Sequence, residues 1–293
     1  MIYVQYLIDA VALGSLFALV ALGIGLIFGV MRLVNLAYGE LLMAGGYALF
    51  ATAGWSVFVR VPVVLAVVVG LSLAMERLVF RHLRNAAPAT MLAVTFAVSF
   101  LLRSIALKRW SSQGKAMAIF VDLNKTITAG SLRIKYATIA AIVVSSVLLV
   151  AVHQFLNRTD IGLQMRAVAT DGRIAQALGV RTNRVVAVAF AVAGVLATAA
   201  LLLLAPQRPV VTPDFGLQIS ILALVGVVVG GMDRIGPATL GGFAVGFANS
   251  MLFSLLPKGQ RIFLDSALYG AVIIVLLARP AGLFQRERVT TRV

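Results

Sequence analysis

The chain has 293 residues, of which 61% are hydrophobic and only 12% charged, with a mean hydropathy of +1.02. A soluble domain is about 45–50% apolar and about 25% charged, so the composition excludes one and indicates an integral membrane protein. The formal net charge of +15 does not indicate nucleic acid, because the basic residues lie between apolar runs, where they orient a chain in the bilayer.

The apolar runs are about 17–22 residues long, the length of membrane-crossing helices; strands of an outer-membrane barrel would be about 10 residues and would alternate. Taken in order, runs are expected near 8–30, 39–54, 62–79, 90–107, 136–156, 185–205, 216–231, 238–256 and 262–278. No Lys or Arg precedes the first run, and Asp9 stands there instead, so it is read as a retained span and not as a leader. The first two runs are joined by so little polar chain, around Arg32 and Asn35, that one of them is expected to be re-entrant or broken inside the membrane. Such a break is tolerated only where protein or a wet cavity surrounds it. The third run ends in Glu76-Arg77-Leu78-Val79-Phe80-Arg81-His82-Leu83-Arg84, most simply a basic helix end. The longest polar connection is Lys108 to Lys135, with turn signals at Asn124-Lys125-Thr126 and Gly130-Ser131. Pro206, Pro209 and Pro213 end the sixth run, and Asp233-Arg234-Ile235-Gly236-Pro237 turns the chain between the seventh and eighth. Trp55 and Trp110 suit interfacial anchors.

These runs predict an all-α polytopic transmembrane bundle of about eight to nine spans in a single domain over 1–293. If nine cross, the termini lie on opposite sides. The Lys/Arg bias then places the N-terminus outside and the C-terminus inside, although the 108–135 connection carries six basic residues on the outer side. Gly25-x-x-x-Gly29-x-Met31-Arg32 faintly echoes Gly226-x-x-x-Gly230-Gly231-Met232-x-Arg234, which either duplication or chance would produce. Gly25, Gly29, Gly230, Gly231, Gly241 and Gly242 are candidate sites of close helix packing, since small residues let backbones approach.

One stretch, about 158–184, is not oily. It carries Arg158, Arg166, Arg173, Arg181 and Arg184 against Asp160 and Asp171. It reads as a short helix with two marked ends. Thr170 or Asp171 can cap the first turn by accepting from its free N–H groups, and Gly179 can close the last turn in the left-handed conformation. Ile174, Ala177 and Leu178 fall at i, i+3 and i+4 and form one apolar edge. A capped amphipathic helix between spans can present that edge to something outside the membrane.

Glu40 is the acid nearest a membrane interior. It is either part of a polar solute path with Asn35 and Tyr38, or an interfacial acid favoured by the dipole at a helix start. His82 and His153 are isolated, with no metal-ligand spacing around them. With no cysteine in the chain there is no disulfide framework, Cys-based metal site or thiol nucleophile. No phosphate-binding Gly-x-x-x-x-Gly-Lys-Ser/Thr loop is present, no hydrolase set stands near a membrane face, and no ladder of acids suggests ion coupling. From its residues the chain is a membrane module with one docking feature and no energy source of its own.

The stretch from Gly14-Ser15-Leu16-Phe17-Ala18-Leu19 through Phe28-Gly29-Val30-Met31-Arg32 to Asn35-Leu36-Ala37-Tyr38-Gly39-Glu40 resembles the opening of the permease subunits of branched-chain amino-acid ABC importers, the H-type permease above all. The likeness continues through Met75–Arg81, Met165-Arg166-Ala167-Val168-Ala169 with Asp171, Ala175, Leu178-Gly179-Val180 and Asn183, Val229-Gly230-Gly231 to Gly241-Gly242, and the closing Arg279-Pro280-Ala281-Gly282-Leu283-Phe284. The resemblance implies that 165–183 is a cytoplasmic coupling helix seated on a separate ATPase, with Arg166, Ala169, Asp171, Ala175, Leu178, Gly179 and Asn183 in that contact. It implies partners as well: a second homologous permease, two ATPase subunits and a solute-binding protein. No cofactor is implied on this chain, ATP and Mg being held by the ATPases. It also implies a prokaryotic cytoplasmic membrane and Leu, Ile and Val as solutes, with relatives of the same outline carrying urea, short amides or other amino acids. Two positions depart from the family pattern: Tyr38 stands where His is frequent, and Asp233-Arg234 where Gly-Ser is frequent. The rival readings are a stand-alone secondary carrier or channel, which leaves 158–184 unexplained, and a scaffolding subunit without a solute path.

Overall fold

The structure, a computed structural model, describes residues 2–83, 86–129, 132–232, 234–279 and 282–284. The Gly130-Ser131 turn, Arg84, Asp233, Pro280-Ala281 and the basic tail lie outside the described residues. The helices are α1 (Ile2–Met31), α2 (Tyr38–Ala51), α3 (Val57–Met75), continued by a π turn (Glu76–Phe80) into α4 (Arg81–Leu83), and α5 (Pro88–Trp110). Then come α6 (Tyr136–Arg158), α7 (Asp160–Thr170), α8 (Gly172–Ala177), α9 (Thr182–Leu204), α10 (Phe215–Gly230), α11 (Ile235–Leu255) and α12 (Leu264–Ala278).

Among the described residues, seven helical stretches are long and apolar enough to cross a bilayer. Helix α1 is the axis. Its sequence is apolar all round, and a helix with no polar face is buried; α11, α9, α6 and α10 enclose it. The outer helices are two-faced. On α5, Met91, Thr95, Ser99 and Ala106 face the bundle, whereas Phe96, Phe100, Leu101 and Ile105 point away and would meet lipid tails.

The remaining two runs are half-helices. α2 has 14 residues and α10 has 16, so at 1.5 Å per residue they span roughly 21 and 24 Å, short of a hydrocarbon core of about 30 Å. Non-helical chain completes each crossing: residues 32–37 lead into α2, and residues 205–214 lead into α10. Helix α12 counts here with the 3-10 turn before it (Lys258–Phe263), which together give a continuous stretch of 20 residues, Gly259–Ala278. The order long, half, long, long then occurs twice, as α1-α2-α3-α5 and as α9-α10-α11-α12, with chain directions opposed and α6 between. The glycine echo does not follow this repeat, since Gly25 and Gly29 lie on long α1, whereas Gly226 and Gly230 lie on short α10.

Broken helices expose backbone groups that lipid cannot satisfy, and local residues do so here. At the start of α2, the Ala37 N–H donates to Asn35 Oδ1 at 3.0 Å. Past its end, the buried Arg60 donates from Nη2 to the Leu49 carbonyl at 2.9 Å. At the end of α10, Gly231 turns the chain at φ 109, and the Leu283 N–H, returning after α12, donates to the Val229 carbonyl at 2.7 Å. The described part of the closing motif thus seals α10.

The 108–135 connection is more ordered than turn signals alone suggest. Lys115–Ala116 (β1) pairs antiparallel with Val210–Val211 (β4), and Thr126–Ala129 (β2) pairs with Leu132–Lys135 (β3). The β-branched Thr126, Ile127 and Ile134 favour the ribbon over a coil. Both ribbons lie at the bundle end opposite α7 and α8.

Candidate functional site

The first turns of α2 and α10 touch backbone to backbone. A Cβ on Gly39 would run into the Gly216 carbonyl, and a Cβ on Gly216 into the Gly39 carbonyl. This contact lies at mid-depth. The Tyr38 hydroxyl donates to the carbonyl of Ala193, midway along α9, and Glu40 meets Ser99, midway along α5. From there the chain before α10 climbs beside α2: Val211 lies against Gly46, two turns nearer the ribbon end than Gly39.

Polar side chains converge where the two half-helices start. Glu40, fully buried, accepts at Oε1 from Ser99 Oγ (2.7 Å) and from Arg103 Nη2 (3.2 Å). Arg103 also donates from Nη1 to Asp214 Oδ1 at 3.3 Å, and from Nη2 to Ser99 Oγ at 3.1 Å. Thr95, Ser99 and Arg103 recur every four residues, so they form one polar stripe on the inner face of α5. Glu40 lies in the first turn of α2 and Asp214 directly before α10, where helix dipoles favour negative charge. Half-helix ends meeting at mid-depth are a recurrent way for transport proteins to present charge to a solute.

Of the three path residues singled out in the sequence, only Glu40 reaches this cluster. Tyr38 points the other way and packs against Gly23 of α1. Asn35 is buried in the chain leading to α2, with its Nδ2 free of hydrogen-bond partners among the described residues. Ser99, Arg103 and Asp214 were missed. The available signal was the arginine itself: a cation inside an otherwise apolar run near 90–107 is costly in lipid, and so usually functional.

The 158–184 stretch differs from its expected form in being two helices instead of one. Helix α6 runs on to Arg158, and Thr159 then caps α7 by accepting from the Gly162 N–H at 3.0 Å. Asp171 caps α8, its Oδ1 accepting from the N–H groups of Arg173 (2.8 Å) and Ile174 (3.0 Å). Each short polar side chain restarts a helix, which makes a corner. Gly179 ends α8 at φ 86, and the Val180 N–H returns to the Ala175 carbonyl at 3.0 Å. Gly162, Met165 and Val168 bury α7 against the bundle, and Ala175 buries one side of α8. Ile174 and Leu178 remain exposed, Leu178 by 81%.

Arg166 donates to Asn157 Oδ1 at 2.7 Å, bracing α7 on α6. Arg32, just past the end of α1 with φ 55, donates to the Ala169 carbonyl at 2.8 Å. A cation there complements the C-terminal end of α7. It also ties α7 to the segment that leads into α2. Asn183 lies on the wall of a neighbouring cleft of about 670 Å³, with Arg77, Arg81, Arg181 and Arg184.

The packing glycines fall into two groups. Gly230 and Gly241 meet at the α10–α11 crossing, where a Cβ on Gly241 would strike the Gly226 carbonyl. Gly242 faces Ala21 and Phe17 of α1. Gly25 and Gly29 leave more room: an added Cβ would lie 3.5 Å from Ala238 Cβ and 3.8 Å from Ile235 Cγ1 respectively, ordinary contact distances.

Residues 6–277 match the family described as the branched-chain amino acid transport system / permease component. The chain is 28% identical to the high-affinity branched-chain amino acid transport system permease protein BraD of Pseudomonas aeruginosa, over 98% of this chain and 97% of that one. It is 26% identical to the permease protein LivH of Escherichia coli at the same coverage. A probable LivH of Methanocaldococcus jannaschii is 26% identical over 94% of this chain and 90% of its own. No solved structure matches. The half-helix pair, the apolar bundle around it and a match spanning nearly all of the described residues have one consequence: the chain belongs to the family of permease components of branched-chain amino acid transport systems, a membrane transport family and not an enzyme family.

Proposed function

We propose that this chain is one of two homologous permease subunits of an ATP-driven importer of Leu, Ile and Val in a prokaryotic cytoplasmic membrane. The family match over 6–277 carries the reading. Two ATPase subunits hold ATP and Mg, and a solute-binding protein delivers the amino acid. The α7–α8 corner faces the cytoplasm, so the N-terminus is outside and the C-terminus inside. Arg166, Ala169, Asp171, Ala175, Leu178, Gly179 and Asn183 form or shape the contact with an ATPase, with the exposed Ile174–Leu178 edge as the buried anchor. The supporting observation is that α8 is capped at both ends yet leaves its apolar edge uncovered within the chain.

In the coupling we propose, ATPase closure shifts the α7–α8 corner. Arg32, bonded to the Ala169 carbonyl, carries the shift into residues 33–37. Asn35, Tyr38 and Glu40 then move with the start of α2, and the path at the half-helix junction opens or closes. The test is reconstitution in proteoliposomes. The four-subunit complex with its binding protein should take up leucine only with ATP, and isoleucine and valine should compete. Gradient-driven uptake by this chain alone would refute the reading, and competition by urea or short amides instead would reassign the solute.

A further inference from the structure

The Glu40–Ser99–Arg103–Asp214 cluster holds more charge than a packing role needs. Asp214 is 65% exposed on its side chain, although it directly precedes a helix that starts at mid-depth. A carboxylate at that level does not face lipid, so it faces water. The chain before it rises beside α2 toward the ribbon end. Arg103 divides its guanidinium between two carboxylates with single contacts of 3.2 and 3.3 Å, longer than the about 2.7–2.9 Å of a good charge-assisted bond. Neither pair is the two-pronged arrangement that suits this group best. Buried Arg103 Nε and Glu40 Oε2 have no hydrogen-bond partner among the described residues. The cluster has two acids to one base, leaving one negative charge over.

We infer that Arg103 and Asp214 form a mid-depth station that reads the charged ends of an α-amino acid, Asp214 taking the α-ammonium and Arg103 the α-carboxylate. The half-helix ends at Gly39 and Gly216 add the positive field that favours the carboxylate. In the solute's absence Arg103 and Asp214 satisfy each other; in its presence each exchanges its internal partner for the matching end of the solute. Glu40 and Ser99 hold the guanidinium in place from beneath. This inference rests on the amino-acid import proposed above.

The chain has no cysteine, so D214C introduces its only thiol. In the reconstituted complex, labelling with a membrane-impermeant cationic methanethiosulfonate is read on this chain by peptide mass spectrometry, with lipid-facing F100C as reference. D214C should react about ten-fold faster or more than F100C. Leucine taken up per ATP hydrolysed is measured for D214N, R103K and D214E in complexes shown to be assembled. D214N should lose about ten-fold or more, as removal of one member of a charged pair demands, while D214E retains most of it. R103K should lose as much, because a lysine keeps the charge but not the planar fork that reaches Glu40, Ser99 and Asp214 together. D214N within two-fold of wild type, or D214C no more reactive than F100C, overturns the inference and leaves the importer reading intact. A wild-type complex that hydrolyses ATP yet carries no α-amino acid overturns both.

Discussion

Replacing Gly216 by Ala tests the half-helix junction directly, with Gly25→Ala as its counterpart. Both sites lie in helices, where Ala is favoured over Gly by up to about 1 kcal/mol. At Gly25 nothing opposes that gain, because the new Cβ would lie 3.5 Å from Ala238 Cβ. At Gly216 the Cβ would overlap the Gly39 carbonyl and press on Gly39 C and Glu40 N. Those atoms are backbone in the first turn of α2 and cannot rotate away. Overpacking costs about 1–3 kcal/mol in ordinary cores, and the rigid partner puts this case at the upper end. The propensity gain is common to both sites, so the two variants should differ by the overpacking cost, roughly 1–3 kcal/mol. At about 2 °C per kcal/mol, the lower end for a chain this long, that is roughly 2–6 °C in midpoint. The assay is the monodisperse fraction remaining after heating in detergent, read by size-exclusion chromatography. A Gly216→Ala midpoint equal to or above that of Gly25→Ala would refute the backbone contact between α2 and α10.

Asp171→Ala removes the one side-chain oxygen that accepts from both the Arg173 and the Ile174 N–H groups at the start of α8. It should cost about 0.5–2 kcal/mol locally, seen as faster amide exchange at 173–178 with the melting midpoint of the spans unchanged. Leu178→Asp alters an exposed apolar residue and should leave folding intact while abolishing co-purification with the ATPase subunits; retained assembly would count against the docking edge. Arg32→Gln breaks the tie to the Ala169 carbonyl and should lower leucine uptake per ATP more than it lowers ATP hydrolysis. In the ribbon-end loop, the Asp122 carboxyl is held below its ordinary range by the Lys125 ammonium at 2.7 Å. Its contribution is present above the ordinary carboxylate range and fades as pH falls through the depressed value. The pair is fully exposed, so Asp122→Asn should leave the melting midpoint unchanged at pH 7.

Much of the site could be read only in part from the chain. The caps at Asp171 and Gly179 were legible because capping is local: a side-chain oxygen reaches N–H groups two and three residues on. That 158–184 makes two helices depends on Thr159 acting as a second cap, and Thr159 also fits the interior of a helix continuing from α6. Glu40 stood out as an acid near the membrane interior, but its partners did not. Arg103 lies 63 residues from Glu40 and 111 from Asp214, and no periodicity links them.

Composition and run length by themselves determined that this is a helical membrane protein with about eight to nine apolar spans, since hydrocarbon admits little else to a chain so apolar. Local spacing determined the capped helix α8 with its bare edge. The short junction between the first two runs pointed to a break in one of them. Only the tertiary structure decided that the break falls before α2, that α10 is a second half-helix, that their first turns meet through Gly39 and Gly216, and that Arg103 joins Glu40 to Asp214. Those features depend on which backbones approach within contact distance, and glycine permits such an approach without saying where it happens.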